Sequence, residues 1–244
     1  MMDWTWARQF YDGKRVVITG GTGGIGIGLA QAFRDAGAEV LATGATDAEV
    51  EAARNSAGGI TFSTLDIRSD AAIAAFADGI AALDVLVNAA GVNLRANEFT
   101  PDGFATVIDI NLTGSMRAAT ALREKLAGGS ILNIASMFAF FGAPHAPAYA
   151  SSKGGVAQLT KSLALAYAGD PIRVNALAPG WIETPMTAGP RADPARNAEL
   201  VGRTPMRRWG VPVDLAGPAL FLCSPAAGFV TGAILPVDGG FLAA

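Results

Sequence analysis

Cysteine occurs once in this sequence, as Cys223, and histidine once, as His145. A single cysteine excludes an internal disulfide, and the two together exclude a Cys/His zinc cluster, so a resident metal would need mostly carboxylates and none is expected. Charge is scarce as well: 16% of residues are charged and the net charge is −3. That leaves no basic stripe for a nucleic-acid backbone and no attraction to an anionic membrane surface. The N-terminus, Met1 to Arg8, lacks the basic start and apolar run of a signal peptide, which makes the cytoplasm the expected compartment. Two stretches without formal charge, 126–152 and 215–237, are broken by Gly, Pro and polar residues, so neither reads as a membrane span.

What is plentiful is apolar: 51% of residues are hydrophobic and 30 are glycine, a composition that suits a packed α/β protein. Residues 15–19 form a short β-branched run, followed by a glycine-rich turn at 20–26 and a helical pattern to about Asp35. Strand, glycine turn and helix open a nucleotide-binding βαβ unit, in which the glycines admit a pyrophosphate to the backbone and the helix N-terminus presents free N–H groups. The spacing of Gly20, Gly24 and Gly26 differs from the commoner Gly-x-Gly-x-x-Gly. The unit then repeats, with strands expected at 39–43, 60–65, 84–88, 130–135, 172–177 and 233–237. Helices are expected at 47–55, at 69–82, from Pro101 past Asn111 to about Leu126, from Tyr149 onward, and near 213–222.

This alternation predicts one Rossmann-type domain over 1–244, a doubly wound parallel β-sheet of about seven strands flanked by helices. Ligands of such sheets bind beyond the C-terminal strand ends, where the 20–26 turn, Asp66, Asn88, Ser136 and Pro179 all fall. The alternation lapses between Pro179 and Pro212, and residues 181–211 read as a lid over the substrate.

Tyr149 and Lys153 lie four residues apart, one helical turn, with Ser136 thirteen residues upstream. A fixed cation favours a phenolate, so the pattern predicts a tyrosine brought down from about 10 toward neutral pH. Such a tyrosine can give or take a proton, and the serine hydroxyl can hold the same substrate oxygen. By itself the pair is equally a helix that happens to carry Tyr and Lys.

Together with Thr19-Gly20-x-x-x-Gly24-x-Gly26, Asn88-Ala-Ala-Gly91, Asn111 and Pro179-Gly180, these residues resemble the short-chain dehydrogenase/reductase family in its common single-domain form, from about Gly13 to Gly240. The resemblance implies hydride transfer between a nicotinamide coenzyme and a small-molecule alcohol or ketone. It implies Tyr149 as general acid/base, Lys153 tuning it and holding the ribose, Ser136 orienting the substrate oxygen, and Asn111 fixing a water in a proton relay. Coenzyme contacts are implied at Gly20, Thr22, Gly24, Ile25, Gly26, Thr43, Asp66, Asn88, Gly91, Tyr149, Lys153, Pro179, Gly180, Ile182 and Thr184. Met137, Phe138, His145, Trp181 and Met186 are expected in the substrate pocket, with Phe140, Phe141, Asn93 and Arg95 as further candidates.

NAD-preferring relatives carry an acid at the end of the second strand; here the position is Gly44, followed by Ala45 and Thr46. NADP(H) is therefore favoured, with NAD(H) kept open because Gly23 and Ala45 supply no basic partner for a phosphate. Residues 127–129 and 169–171 offer no basic surface for an acidic carrier protein, against a ketoacyl reductase reading. The resemblance implies a homotetramer, with a dimer as the fallback. The alternative is a catalytically retired NAD(P) sensor; such relatives lose the tyrosine or lysine that this chain keeps.

Overall fold

The β-branched runs of the sequence become seven strands: β1 (Arg15–Thr19), β2 (Glu39–Gly44), β3 (Thr61–Thr64), β4 (Val85–Asn88), β5 (Ser130–Ile134), β6 (Arg173–Pro179) and β7 (Ile234–Val237). All pair in parallel, in the order β3-β2-β1-β4-β5-β6-β7, so the winding reverses between β1 and β4. A crevice opens at that point beyond the strand C-termini. The computed structural model describes residues 4–126 and 128–244. Met1 to Asp3 of the N-terminal reading, and Ala127 of the carrier-protein reading, lie outside the described residues.

The helices are α1 (Thr5–Tyr11), α2 (Gly24–Asp35), α3 (Asp47–Ser56), α4 (Asp70–Asp78), α5 (Pro101–Ile108), α6 (Gly114–Ala121), α7 (Pro147–Ala166), α8 (Ala188–Ala192), α9 (Pro194–Arg203) and α10 (Ala216–Cys223). Successive strand residues point to opposite faces. Val16, Ile18, Val85 and Val87 accordingly pack with α1, α2, α3 and α10, while Val17 and Leu86 pack with α4, α6 and α7. Both faces are covered, which is why the strands read as continuous apolar runs. No helix among the described residues is long and apolar enough to cross a membrane.

The elements differ from the sequence reading in four places, the first being that α8 and α9 lie within 181–211, where the sequence reading expects an irregular segment. Helix α4 stops at Asp78 rather than 82, with Gly79 as its C-cap. The helix expected from Pro101 to Leu126 is interrupted: a π-turn at Asp109–Thr113 separates α5 from α6, and a 3₁₀ turn at Arg123–Leu126 follows. Helix α1 has no counterpart in the sequence reading; Tyr11 anchors it, its hydroxyl donating to Leu220 O at 2.6 Å and its ring meeting Phe33 edge-on at 5.1 Å.

Behind the crevice, a buried polar chain crosses the sheet. The Asn88 amide donates to Asn133 Oδ1 at 2.9 Å and to Ser115 O at 3.3 Å. Asn133 in turn donates to Thr160 Oγ1 at 2.9 Å, linking α6, β4, β5 and α7. Breaking one member leaves others desolvated without partners. Asn133→Ala is expected to cost on the order of 3 kcal/mol, combining orphaned polar groups with lost packing. Urea unfolding checks this, and an unchanged midpoint would remove the chain from the list of stabilising contacts.

Candidate active site

The crevice begins at the β1–α2 turn. Gly20 holds φ +66°, and a Cβ there would lie 2.5 Å from Ala90 Cα; one on Gly26 would lie 2.1 Å from Gly20 O. No side chain fits at either position, so the turn packs directly on the backbone after β4. Helix α2 starts from Gly23 with no side-chain cap, which leaves its first-turn N–H groups directed to the crevice. This cradle fits a coenzyme pyrophosphate. Thr184 lies over it, its Cβ 3.6 Å from where a Gly24 Cβ would stand.

Strand β5 delivers Ser136, whose Oγ accepts from Phe138 N at 3.2 Å and caps a short 3₁₀ turn. The first turn of α7 carries Tyr149, and the next turn carries Lys153. Lys153 is only 5% exposed; its ammonium donates to Ile134 O at 2.6 Å and lies 5.6 Å from the centre of the Tyr149 ring. The π-turn swings Asn111 into the same corner. Asn111 donates to Val92 O and Ser152 Oγ, both at 3.0 Å, and accepts from Val92 N at 2.8 Å. A Cβ on Gly91 would stand 3.3 Å from Asn111 Oδ1 and 3.6 Å from Lys153 Nζ, so the three meet at one point. Single-turn π-bulges inside helices often serve functional sites in this way.

Residues 20–242 match the family model described as Enoyl-(Acyl carrier protein) reductase. A 2-dehydro-3-deoxy-D-gluconate 5-dehydrogenase of Bacillus subtilis (strain 168) is 40% identical, over 94% of this chain and 95% of its own. A gluconate 5-dehydrogenase of Burkholderia cenocepacia J2315, solved with NADP and tartrate, superposes with TM-score 0.90 at 34% identity, covering 98% of both chains. A structure from Beutenbergia cavernae with NADP at low occupancy gives TM-score 0.87 at 40% identity, over 96% of this chain and 98% of its own. The chain belongs to the short-chain dehydrogenase/reductase family.

The electrostatics of this reductase-family site depart from the sequence expectation. Burial pushes the Tyr149 phenol up to about 12; the Ser136 hydroxyl hydrogen-bonded to it pulls down, and the Glu98 carboxylate pushes further up. Burial also brings the Lys153 ammonium down to about 8. The expected lowering of the phenol is therefore overturned in the free protein, where desolvation by burial is the largest effect on it.

Glu98 was not among the expected site residues. It is 1% exposed, accepts from Leu94 N (2.9 Å) and Arg95 N (3.2 Å) through Oε1, and accepts from Tyr149 N (2.9 Å) through Oε2. A carboxylate there complements the α7 N-terminus and ties the loop after β4 to the turn that carries Tyr149. No local pattern marks it, since its key partner lies 51 residues away. The same loop sets Arg95 at φ +52°, where its N–H also meets Asn93 Oδ1 and its guanidinium donates to Met186 O at 2.9 Å.

Other expected residues fall in varied places. Phe138 joins Tyr149, Trp181 and Phe141 edge-on, with centroids 5.2–6.2 Å apart. Met186, His145 and Phe140 are exposed. Met137, by contrast, is 1% exposed and supports the site from below instead of facing a pocket. Thr43 is likewise buried, at 2% exposure, and its carbonyl accepts from Gly21 N at 2.8 Å. The Asn88 side chain points into the polar chain behind the sheet. Ile182 packs in the core, Ile25 rests half-buried against it, and Pro179 and Gly180 end β6, with Gly180 N donating to Val237 O at 3.0 Å. Asp66 is engaged by Arg68 at 2.8 and 3.0 Å, which holds its carboxyl below the usual range.

Glu98→Ala removes the acceptor of three backbone N–H groups. It is expected to cost about 3 kcal/mol and to lower Tm by roughly 6–12 °C, as differential scanning calorimetry would show.

Proposed function

We propose that the protein is an NAD(P)-dependent oxidoreductase interconverting a secondary alcohol and a ketone on a sugar acid, with NADP(H) as its favoured coenzyme. The observation that carries this is the meeting of Tyr149, Ser136, Lys153 and Asn111 at the strand ends beside the uncapped start of α2. The bound nicotinamide supplies the hydride in reduction and accepts it in oxidation. In reduction, Ser136 holds the carbonyl oxygen and Tyr149 gives it a proton from its hydroxyl. Lys153, fixed by Ile134 O, sets the charge beside the phenol and is placed to hold ribose hydroxyls. Asn111, locked on Val92, keeps the corner polar behind Lys153 and is suited to hold a relay water.

Thr22, Gly24, Gly91 and Thr184 line the coenzyme path in this reading, and residues 181–211 act as the lid. The lid is pinned at its base by the Ile182–Gly210 bridge and joined to the loop after β4 by Arg95. NADP(H) is supported by the NADP-bound relatives and by the absence of an acid at Gly44. A sugar acid is supported by the names of the relatives and by Arg95, a cation at the mouth of the site. Phe138 and Trp181 offer flat faces for the apolar side of a sugar. A cytoplasmic homotetramer, with a dimer as the fallback, completes the reading; the exposed Phe229 and Leu165 support assembly. The presence of both Tyr149 and Lys153 disfavours a retired sensor.

The test follows reduced-nicotinamide absorbance with NADPH and NADH separately, across keto sugar acids, polyols, simple ketones and hydroxysteroids. A keto sugar acid is expected to be the best substrate, and Tyr149→Phe to lower turnover about a thousandfold. Turnover that survives that substitution would overturn the mechanism. Reduction should also weaken as pH rises through about 8, where Lys153 loses its proton while Tyr149, at about 12, keeps its own. A flat profile across that range would contradict the role given to Lys153.

A further inference from the structure

Gly44 ends β2 twenty residues after Gly24, where an acid in dinucleotide-binding folds meets the 2′-hydroxyl of the adenosine ribose. The structure explains why no acid stands there. A Cβ on Gly44 would lie 2.6 Å from Thr22 Cγ2 and 2.9 Å from Thr22 Oγ1, so a side chain there would require Thr22 to move. A carboxylate reaches the same corner by another route. Glu49, in the first turn of α3, folds back so that its Oε2 accepts from Ala45 N at 2.8 Å. That oxygen lies 3.2 Å from the point a Gly44 Cβ would occupy.

We propose that Glu49 is the residue that discriminates at the 2′ position of the coenzyme, accepting from a 2′-hydroxyl and repelling a 2′-phosphate. It thereby holds the preference for NADP(H) in check. The proposal rests on the coenzyme-binding reading above and concerns a residue that α3 supplies, not β2. Residues 21–23 and 44–46 carry no cation to offset the charge, and no salt bridge to Glu49 occurs among the described residues. The exposed carboxylate also occupies the Ala45 N–H, a donor that a phosphate oxygen would otherwise use. A purely structural role is available too, because Thr46 Oγ1 caps α3 through Glu49 N at 3.2 Å. The Ala45 contact of that cap, however, requires an acceptor and not a charge. The two roles are separable.

Glu49→Gln keeps the size and an oxygen acceptor while removing the charge. Titration calorimetry on the full chain, without substrate, would give dissociation constants for 2′,5′-ADP and 5′-ADP with both proteins. The expected result is about tenfold tighter 2′,5′-ADP binding by the variant, with 5′-ADP unchanged or weaker. The gain should shrink in 1 M salt, where screening acts over about 3 Å. An unchanged ratio of the two constants, with Tm preserved, would overturn the proposal and leave Glu49 as a cap. A lower Tm with an unchanged ratio would overturn it equally. The wild-type ratio for NADP⁺ against NAD⁺ tests the coenzyme reading separately, because it can favour either coenzyme while the variant still shifts it.

Discussion

Everything at this site depends on keeping one ammonium group inside the protein. Lys153 is taken out of water between α7 and the end of β5, and its one hydrogen bond among those described is to the Ile134 carbonyl at 2.6 Å. Burying a cation is costly unless polar groups converge on it, and the local architecture is shaped by that need. Gly91 lines the corner beside Lys153, where a Cβ would stand 3.3 Å from Asn111 Oδ1 and 3.6 Å from Lys153 Nζ. Asn111 must turn inward, which the π-turn achieves by breaking an otherwise continuous helix. The first turn of α7 must be held in place, which Glu98 does from a loop on the opposite side of the site.

The rest of the molecule extends this arrangement outward. Behind the sheet, the chain from Ser115 through Asn88 and Asn133 to Thr160 fixes the relative positions of β4, β5, α6 and α7 in an otherwise apolar core. In front, Phe138 links Tyr149 to Trp181, and Trp181 meets Trp209 at 5.7 Å, so the ring beside the phenol is coupled to both ends of the 181–211 segment. Phe141 stacks on Phe241 near the C-terminus at 6.0 Å, bringing the last residues to the same aromatic group.

The sheet was legible because buried parallel strands are written as β-branched runs bounded by glycine or polar residues. Tyr149, Lys153 and the 20–26 glycines were legible because helix spacing and close backbone approach leave short, local patterns. The π-turn was not, since 101–126 carries a helical pattern throughout and one inserted residue changes no residue type. Glu98 and Glu49 escaped for a related reason: each acts through a backbone N–H whose position only the fold reveals. The spacing of Tyr149 and Lys153 shows the cation but not the depth of burial that raises the phenol. The position of Met137 next to Ser136 suggests the pocket, yet the 3₁₀ turn that begins with it leaves it buried in the core.

The buried ammonium can be observed directly. The chain has four lysines, Lys14, Lys125, Lys153 and Lys161, so an NMR titration of ¹³Cε-labelled lysine is simple to read, with Lys153→Met to assign the signal. One signal, absent from the variant, is expected to titrate at about 8. If the signal lost in Lys153→Met titrates instead at the ordinary lysine value of about 10.4, Lys153 reaches water and the account of the site as built around its burial fails.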